Sequence, residues 1–253
     1  MSGMRWNDDL LSSAPTPLWF QIAERLRSSI VTGEFRPGDA LPSEADINAA
    51  FKVSRTTARA SLERLRQEGL ISRQSGRGSI VLKPKVEQPV NQLASYSEDM
   101  RRRGLKASYA TFRAAPAPLA AEAAAALGLD EGAPAFHILR LFLADDEPMG
   151  MSESWLAPSV LDADPGPSPE DLDAGSLYRW LSDRRGVAIA GAREFIEAAV
   201  ADAALARRLE VAVGAPVLVA RRRSHAADGT PIEYAVMHYR ADRYRFSIDL
   251  AGQ

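Results

Sequence analysis

The chain has 253 residues, 46% hydrophobic and 25% charged, with a formal net charge of −2 and no cysteine. That length suits two domains, each able to bury its own core. No apolar run approaches the roughly 18 residues of a membrane helix, which excludes a spanning protein. The start, MSGMRWNDDL, lacks a basic segment followed by an apolar stretch, and without cysteine there are no disulfides, so a cytoplasmic address is expected. Zinc would have to rely on His137, His225 and His238, and no pair of them has a spacing that builds a site; neither a metal nor a cofactor is expected. The charge is uneven: residues 1–83 carry 12 Lys+Arg against 9 Asp+Glu, leaving 19 against 24 for the rest. A basic front on an acidic remainder is compatible with nucleic-acid binding at the front.

Residues 1–14 show no periodicity and read as a loose leader. Leu18, Ile22, Leu26 and Ile30 then recur every four residues, one face of a helix that Gly33 ends. Ser43 is a good cap for a short second helix, with Asp46 completing a near capping box and Ile47, Ala50 and Phe51 turned inward. Ser54 caps a third helix, running to about Glu68 with Ala58, Leu62 and Leu65 on one face. Three helices with a tight joint between the second and third predict a helix-turn-helix. After Gly69 the pattern becomes extended, and residues 70–74 and 79–82 form a hairpin around a Ser75-Gly76-Arg77-Gly78 tip. Prolines and charges follow, so the expected domains are 15–83 and 92–253 with a linker at 84–91.

The second part contains an echo. EGAPAFHILRLFLADDEPMGM, from Glu131, and VGAPVLVARRRSHAADGTPIEYA, from Val213, share Gly-Ala-Pro, an apolar run with an arginine, an acidic turn and a second strand. Each reads as a β-hairpin preceded by a helical stretch, 119–129 and 201–209, which predicts a central antiparallel sheet with flanking helices and an α+β chain overall. Two unrelated hairpins with similar turns are the alternative. Residues 157–175, rich in Pro, Asp and Ser, read as a surface loop.

In SRTTARASLERLRQEGL, Arg55 and Arg59 lie one turn apart at the start of the third helix, the end that enters the major groove in a helix-turn-helix. Arginine can meet guanine in two hydrogen bonds, and Thr56 and Thr57 can reach a phosphate or a thymine methyl. Glycines at the hairpin tip allow close backbone approach, and Arg77 suits a minor groove. The stretch from PLWFQIAERL through LPSE, SRTT-x-R and GRG resembles the DNA-binding domain of the GntR family of bacterial regulators, a winged helix-turn-helix. The resemblance implies that Ser43, Ser54, Arg55, Thr56, Thr57, Arg59, Gly76, Arg77 and Gly78 serve binding to double-stranded operator DNA. Ala45 stands where that family commonly has arginine, which removes a contact and changes the expected operator.

From about Gln92 the chain is similar to the UTRA effector domain of the HutC subfamily, whose fold resembles chorismate lyase. LASYSEDMRRRG, RLFLADDEPM, SLY and IEYAVMHYRADRYRF carry the similarity. Relatives sense phosphorylated amino sugars, other sugar phosphates and urocanate, so the resemblance implies a small anionic metabolite as effector. Ser95 to Glu98 read as a capping box whose free amides make an anion site. Arg140 in a strand, Ser176, Tyr178 and Glu233 suit a polar ligand. Positions matching Ser95, Tyr96, Ser97, Arg140, Ser176, Tyr178, Glu233 and Tyr239 form the pocket of sugar-phosphate-binding relatives. Two departures stand out: Phe142 replaces a second pocket arginine, and a glutamate expected in the next strand is Ser152 or has slipped to Glu153. They leave a doubly charged phosphate poorly matched, and a carboxylate, a sulfonate or a singly bound phosphate open.

The arginines at 101–103 and 221–223 and the group Arg240, Asp242 and Arg243 read as structural. The expected protein is a homodimeric transcription repressor, dimerised mainly by its second domain and switched by its effector. Its rivals are a ligand-independent DNA-binding dimer and an enzyme using the lyase-like pocket, although no motif of nucleophile, base and orienting group is present.

Overall fold

The four-residue recurrence becomes helix α1 (Leu18–Val31), which buries Ile22, Ala23 and Leu26. A computed structural model describes residues 6–7, 15–74, 76–91, 93, 95–161 and 165–250, and the chain divides into two compact units, Met1–Pro84 and Lys85–Gln253. The leader expected at 1–14 lies almost wholly outside the described residues; Trp6 meets Phe51 edge to face at 6.0 Å.

In the first unit, α2 (Glu44–Phe51) starts at Ser43 with the full capping box: Ser43 Oγ accepts from the Asp46 amide, and Asp46 accepts from the Ser43 amide at 2.9 Å. Such a cap contributes about 1 kcal/mol. Only Ile47 of this short helix is buried, and Phe51 is half-buried. Ala50, expected inward, is exposed, because eight residues turn just one narrow stripe to the core. Lys52 takes a left-handed conformation (φ 53°) and Val53 packs inward, which makes the tight joint to α3 (Arg55–Gln67). Ala58, Leu62 and Leu65 of α3 are buried as expected. Strands β1 (Ile71–Gln74) and β2 (Gly78–Val81) pair antiparallel, and Gly76 and Gly78 turn the tip with φ 75° and 78°, a region that disfavours side chains. Ser75 lies outside the described residues.

The second unit opens with a correction. The segment read as linker contains β3 (Val86–Pro89), paired in parallel with the last strand, β10 (Tyr244–Ser247). Val86 and Gln88 are buried, so alternation across four residues outweighs the linker-like composition. Next come α4 (Tyr96–Arg102) and the two halves of a six-stranded sheet. The first half is β4 (Ala107–Pro118), α5 (Ala121–Leu127), β5 (Pro134–Ala144) and β6 (Glu147–Leu156). The connection holds α6 (Pro158–Leu161), α7 (Pro169–Asp173) and α8 (Leu177–Arg185). The second half repeats the plan with β7 (Gly191–Val200), α9 (Ala203–Leu209), β8 (Pro216–His225) and β9 (Pro231–Arg240). The strand order β4-β5-β6-β9-β8-β7 places the halves back to back through the β6–β9 pair. The echo is therefore a structural duplication.

Residues 157–175 are more than a surface loop. Val160, Leu161 and Leu172 are buried in the main apolar cluster, with α6 packed on β5 and α7 on β4. Their apolar residues are too few and too widely spaced to have signalled this.

Candidate functional site

Side chains alternate across a strand, and one face of the sheet collects Arg140 and Phe142 of β5, Ser152 and Ser154 of β6, Glu233, Ala235, Met237 and Tyr239 of β9, and Arg222 of β8. With Ser95 and Tyr96 of α4, Tyr109 of β4, Ser176 and Tyr178 at α8, Gln88 and Tyr244, they line a cavity. Seven of the eight expected pocket residues thus come together: Ser95, Tyr96, Arg140, Ser176, Tyr178, Glu233 and Tyr239. Ser97 does not join the lining; it lies 3.4 Å from Ser95, hydroxyl to hydroxyl.

Arg140 is 6% exposed, and its Nε has no hydrogen-bond partner. Among the described residues no carboxylate lies within 4 Å of it; Nη1 makes one long bond, 3.5 Å, to the Gly175 carbonyl. The group rests on the faces of Tyr109 and Phe142, 5.0 and 5.3 Å from the ring centroids. Burial lowers its pKa, although Tyr109 and Glu233 act the other way. The Tyr96 hydroxyl is likewise buried without a partner. Tyr178 donates to Glu233 Oε2 at 2.9 Å and lies 3.2 Å from Ser224 Oγ; burial raises its pKa, with the Glu233 carboxylate adding to the rise. Tyr239 stacks on Tyr244 at 4.2 Å, and Tyr244 donates to Gln88 at 2.5 Å. This chemistry can bind a small polar anion by one unmatched cation, with hydroxyl and carboxylate groups for its other polar atoms.

Two expectations need revision. At the start of α4 two of the amides are already engaged. Its capping box is closed, with Ser95 Oγ accepting from the Glu98 amide and the Glu98 carboxylate turned toward the Ser95 amide. An incoming anion there would meet a carboxylate. Glu153 is on the opposite face of β6, half exposed, and bonds His137 at 2.8 Å, whereas Ser152 lies in the cavity.

The arginine missing at Phe142 has a counterpart elsewhere. Arg222, set aside as structural with its neighbours, is buried in the cavity wall and paired with Glu194 of β7 at 2.9 Å. Burial opposes its charge, and the Tyr178 and Glu194 sides outweigh it, so its pKa is raised. The duplication carried the signal: Arg140 follows Pro134 by six residues, and Arg222 follows Pro216 by six. Gln88, Tyr109 and Tyr244 had no such signal. Arg223 faces solvent, and Arg221 pairs with Glu122 and Glu197. Arg240 pairs with Asp242 at 2.7 Å, and Arg240 and Arg243 both approach Glu147 at 3.5 Å.

In the first unit, Arg55 and Thr56 are exposed at the start of α3. Ser54 caps that helix, accepting from the Thr57 amide at 3.1 Å, and the two hydroxyls lie 2.9 Å apart. Arg59 lies 3.3 Å from Glu44, which also reaches Arg73 of β1 at 3.4 Å, and Ser43, Glu44, Ala45, Arg59, Arg73 and Gly78 share one concavity. Sequence reasoning did not single out Glu44 or Arg73. Gly76 and Arg77 stand exposed at the hairpin tip.

Comparison with known proteins assigns both units. Residues 20–81 match the family of bacterial regulatory proteins, gntR family, and residues 102–245 match the UTRA domain. The HTH-type transcriptional repressor NagR of Bacillus subtilis is 34% identical over 92% of this chain and 94% of its own. The probable transcriptional regulator PhnF of Escherichia coli is 29% identical over 94% of this chain and 99% of its own. The crystal structure of PhnF from Mycobacterium smegmatis superposes with a TM-score of 0.65 and 28% identity, over 91% of this chain and 99% of that one.

Proposed function

The chain belongs to the gntR family of bacterial regulators, with a UTRA effector domain behind its DNA-binding one, and from that premise we propose that it is a cytoplasmic, homodimeric repressor released or reset by a small anion held at Arg140. Membership makes it a DNA-binding transcription regulator and not an enzyme. Operator contact falls to Ser43, Ser54, Arg55, Thr56, Thr57, Arg59 and the Gly76-Arg77-Gly78 tip. The observation that carries the effector reading is Arg140: a buried guanidinium with an unpartnered Nε is costly unless something anionic completes it.

The charge inventory narrows the anion. Arg222 is matched by Glu194, Asp99 holds Arg103 at 3.0 Å, and Glu233 adds a negative charge of its own. One unmatched cation favours one negative charge, so a carboxylate, a sulfonate or a singly bound phosphate fits better than a phosphate dianion. Glu233 and Tyr178 suit hydroxyl or amino hydrogens on the ligand. Coupling to DNA runs through Gln88 and Tyr244: both line the cavity, and β3, which carries Gln88, begins two residues after Pro84. A ligand that moves this strand pair changes the spacing of the two DNA-binding heads, which the DNA holds fixed.

A thermal-shift screen of carboxylates, sulfonates and sugar phosphates, followed by operator titration with each hit, tests the reading. A hit should stabilise wild type but not Arg140→Ala, and it should change operator affinity by about 5- to 150-fold, with DNA changing ligand affinity by the same factor. Equal effector affinity with and without operator would defeat the allosteric part; unaltered binding by Arg140→Ala would remove Arg140 from the site.

A further inference from the structure

Among the described residues, four charged side chains line the cavity, Asp99, Arg140, Arg222 and Glu233, and they are of two kinds. Asp99 and Arg222 are neutralised by residues outside the lining, Arg103 at 3.0 Å and Glu194 at 2.9 Å. Arg140 and Glu233 are opposite in sign, buried and unpaired. In register, Arg140 is flanked by Thr111 and Ser152, and Glu233 by Leu156 and Ser224, so neither has a countercharge on the strand beside it. Glu233 is 3% exposed, and Tyr178 donates to its Oε2 at 2.9 Å. Among the described residues no basic group lies within 4 Å of it; Arg222, diagonal to it across the β8–β9 pair, is turned to Glu194. The two unpaired charges do not satisfy each other. Ser152 lies opposite Arg140 and Met237 opposite Ser152, which puts Glu233 two strands away and four residues along, roughly 16 Å between α-carbons. Yet both side chains reach one cavity, and the Glu233 charge acts on Arg140 to favour its protonated form.

We propose that the cavity takes a small zwitterion, an amino acid or aminosulfonate whose acid group meets Arg140 and whose ammonium group meets Glu233. The inference rests on the effector reading above and narrows it by giving the anion a positive end. A buried ion without a partner is unfavourable, and a ligand of the opposite charge offsets that. A simple anion completes Arg140, leaves Glu233 as it was and adds a second negative charge to the same cavity. A ligand with one charge of each sign completes both groups and adds no net charge. An ammonium group carries three donors, and Glu233 Oε1, which Tyr178 does not engage, is an acceptor for one of them. A hydrogen bond between two charged groups is about twice as strong as one between neutral groups, so the site should separate an amine from a hydroxyl of the same shape.

Calorimetric titration of the full chain with matched ligand pairs tests this. The probes are β-alanine, γ-aminobutyrate and δ-aminovalerate, each against the hydroxy acid of the same length, and taurine against isethionate. At least one amine should bind wild type about tenfold tighter than its hydroxyl twin, a comparison that depends on no variant folding. Glu233→Gln keeps the side-chain shape and an acceptor for Tyr178 while removing the charge, so the two members of that pair should become level. Arg140→Ala should abolish binding of both. Three results overturn the zwitterion: amines that bind no tighter than their twins, amines that do not bind at millimolar concentration, and a preference that survives Glu233→Gln. In each case an anion captured through Arg140 keeps the effector reading intact. If no carboxylate, sulfonate or sugar phosphate binds wild type either, both fall.

Discussion

The two halves of the effector sheet have the same plan, yet their equivalent arginines live differently. Arg222 on β8 has Glu194 beside it on β7, in register; Arg140 on β5 has Thr111 beside it on β4. One cation is completed within the fold, and the other is left with an unpartnered Nε. The same contrast recurs at lower stakes in the first unit, where Arg59 is held by Glu44, and Arg55, one turn away, has no carboxylate within 4 Å among the described residues. In a duplicated scaffold, a single residue on the neighbouring strand, Glu194 or Thr111, thus separates a paired arginine from one with no carboxylate beside it.

The sharpest way to break that comparison is to remove each arginine in turn. Arg222→Ala leaves Glu194 mostly buried and unpaired, and should cost about 3 kcal/mol of stability in urea denaturation. Arg140→Met removes a cation that has no carboxylate within 4 Å among the described residues, so stability should stay level or rise, while affinity for an anionic effector falls about 10- to 100-fold in calorimetric titration. If the two variants lose stability equally, the distinction between paired and unpaired arginines fails.

On the DNA side, Arg55→Ala or Arg59→Ala should cost about 1–3 kcal/mol of operator affinity and relax sequence preference. An equal loss on operator and random DNA would reassign the residue to phosphate contact. Smallest is the effect of freeing the held arginine: Glu44→Gln releases Arg59 and Arg73 from an exposed pair worth at most about 1 kcal/mol, so DNA affinity should rise no more than a few-fold in fluorescence anisotropy. A loss of affinity on that change would show Glu44 positioning Arg59 rather than competing with DNA for it.

Much of the first unit was legible because its signals are local. Ser43 and Ser54 each cap a helix three residues from the amide they accept, and the glycines of the tip stand where the turn needs positive φ. In the second unit the duplicated hairpins were readable from their shared Gly-Ala-Pro starts and the capping box at Ser95 from its spacing to Glu98, but the strand hidden in 84–91 and the buried faces of α6 and α7 were not. Each depends on a partner far away in sequence: Val86 is a strand residue only because Tyr244 is opposite it.

By itself, then, the sequence determined the helices, the hairpins, the repeat and the residue types of a DNA-binding head and a polar pocket, since caps, turns and periodicity act over a few residues. Tertiary structure alone decided which arginine has a partner and which has none. Register between strands set Glu194 beside Arg222 and Thr111 beside Arg140, and the sheet's alternation put Ser152 in the cavity and Glu153 outside it. The cost of an uncompensated charge depends on burial and on the nearest carboxylate, and both are properties of the assembled sheet.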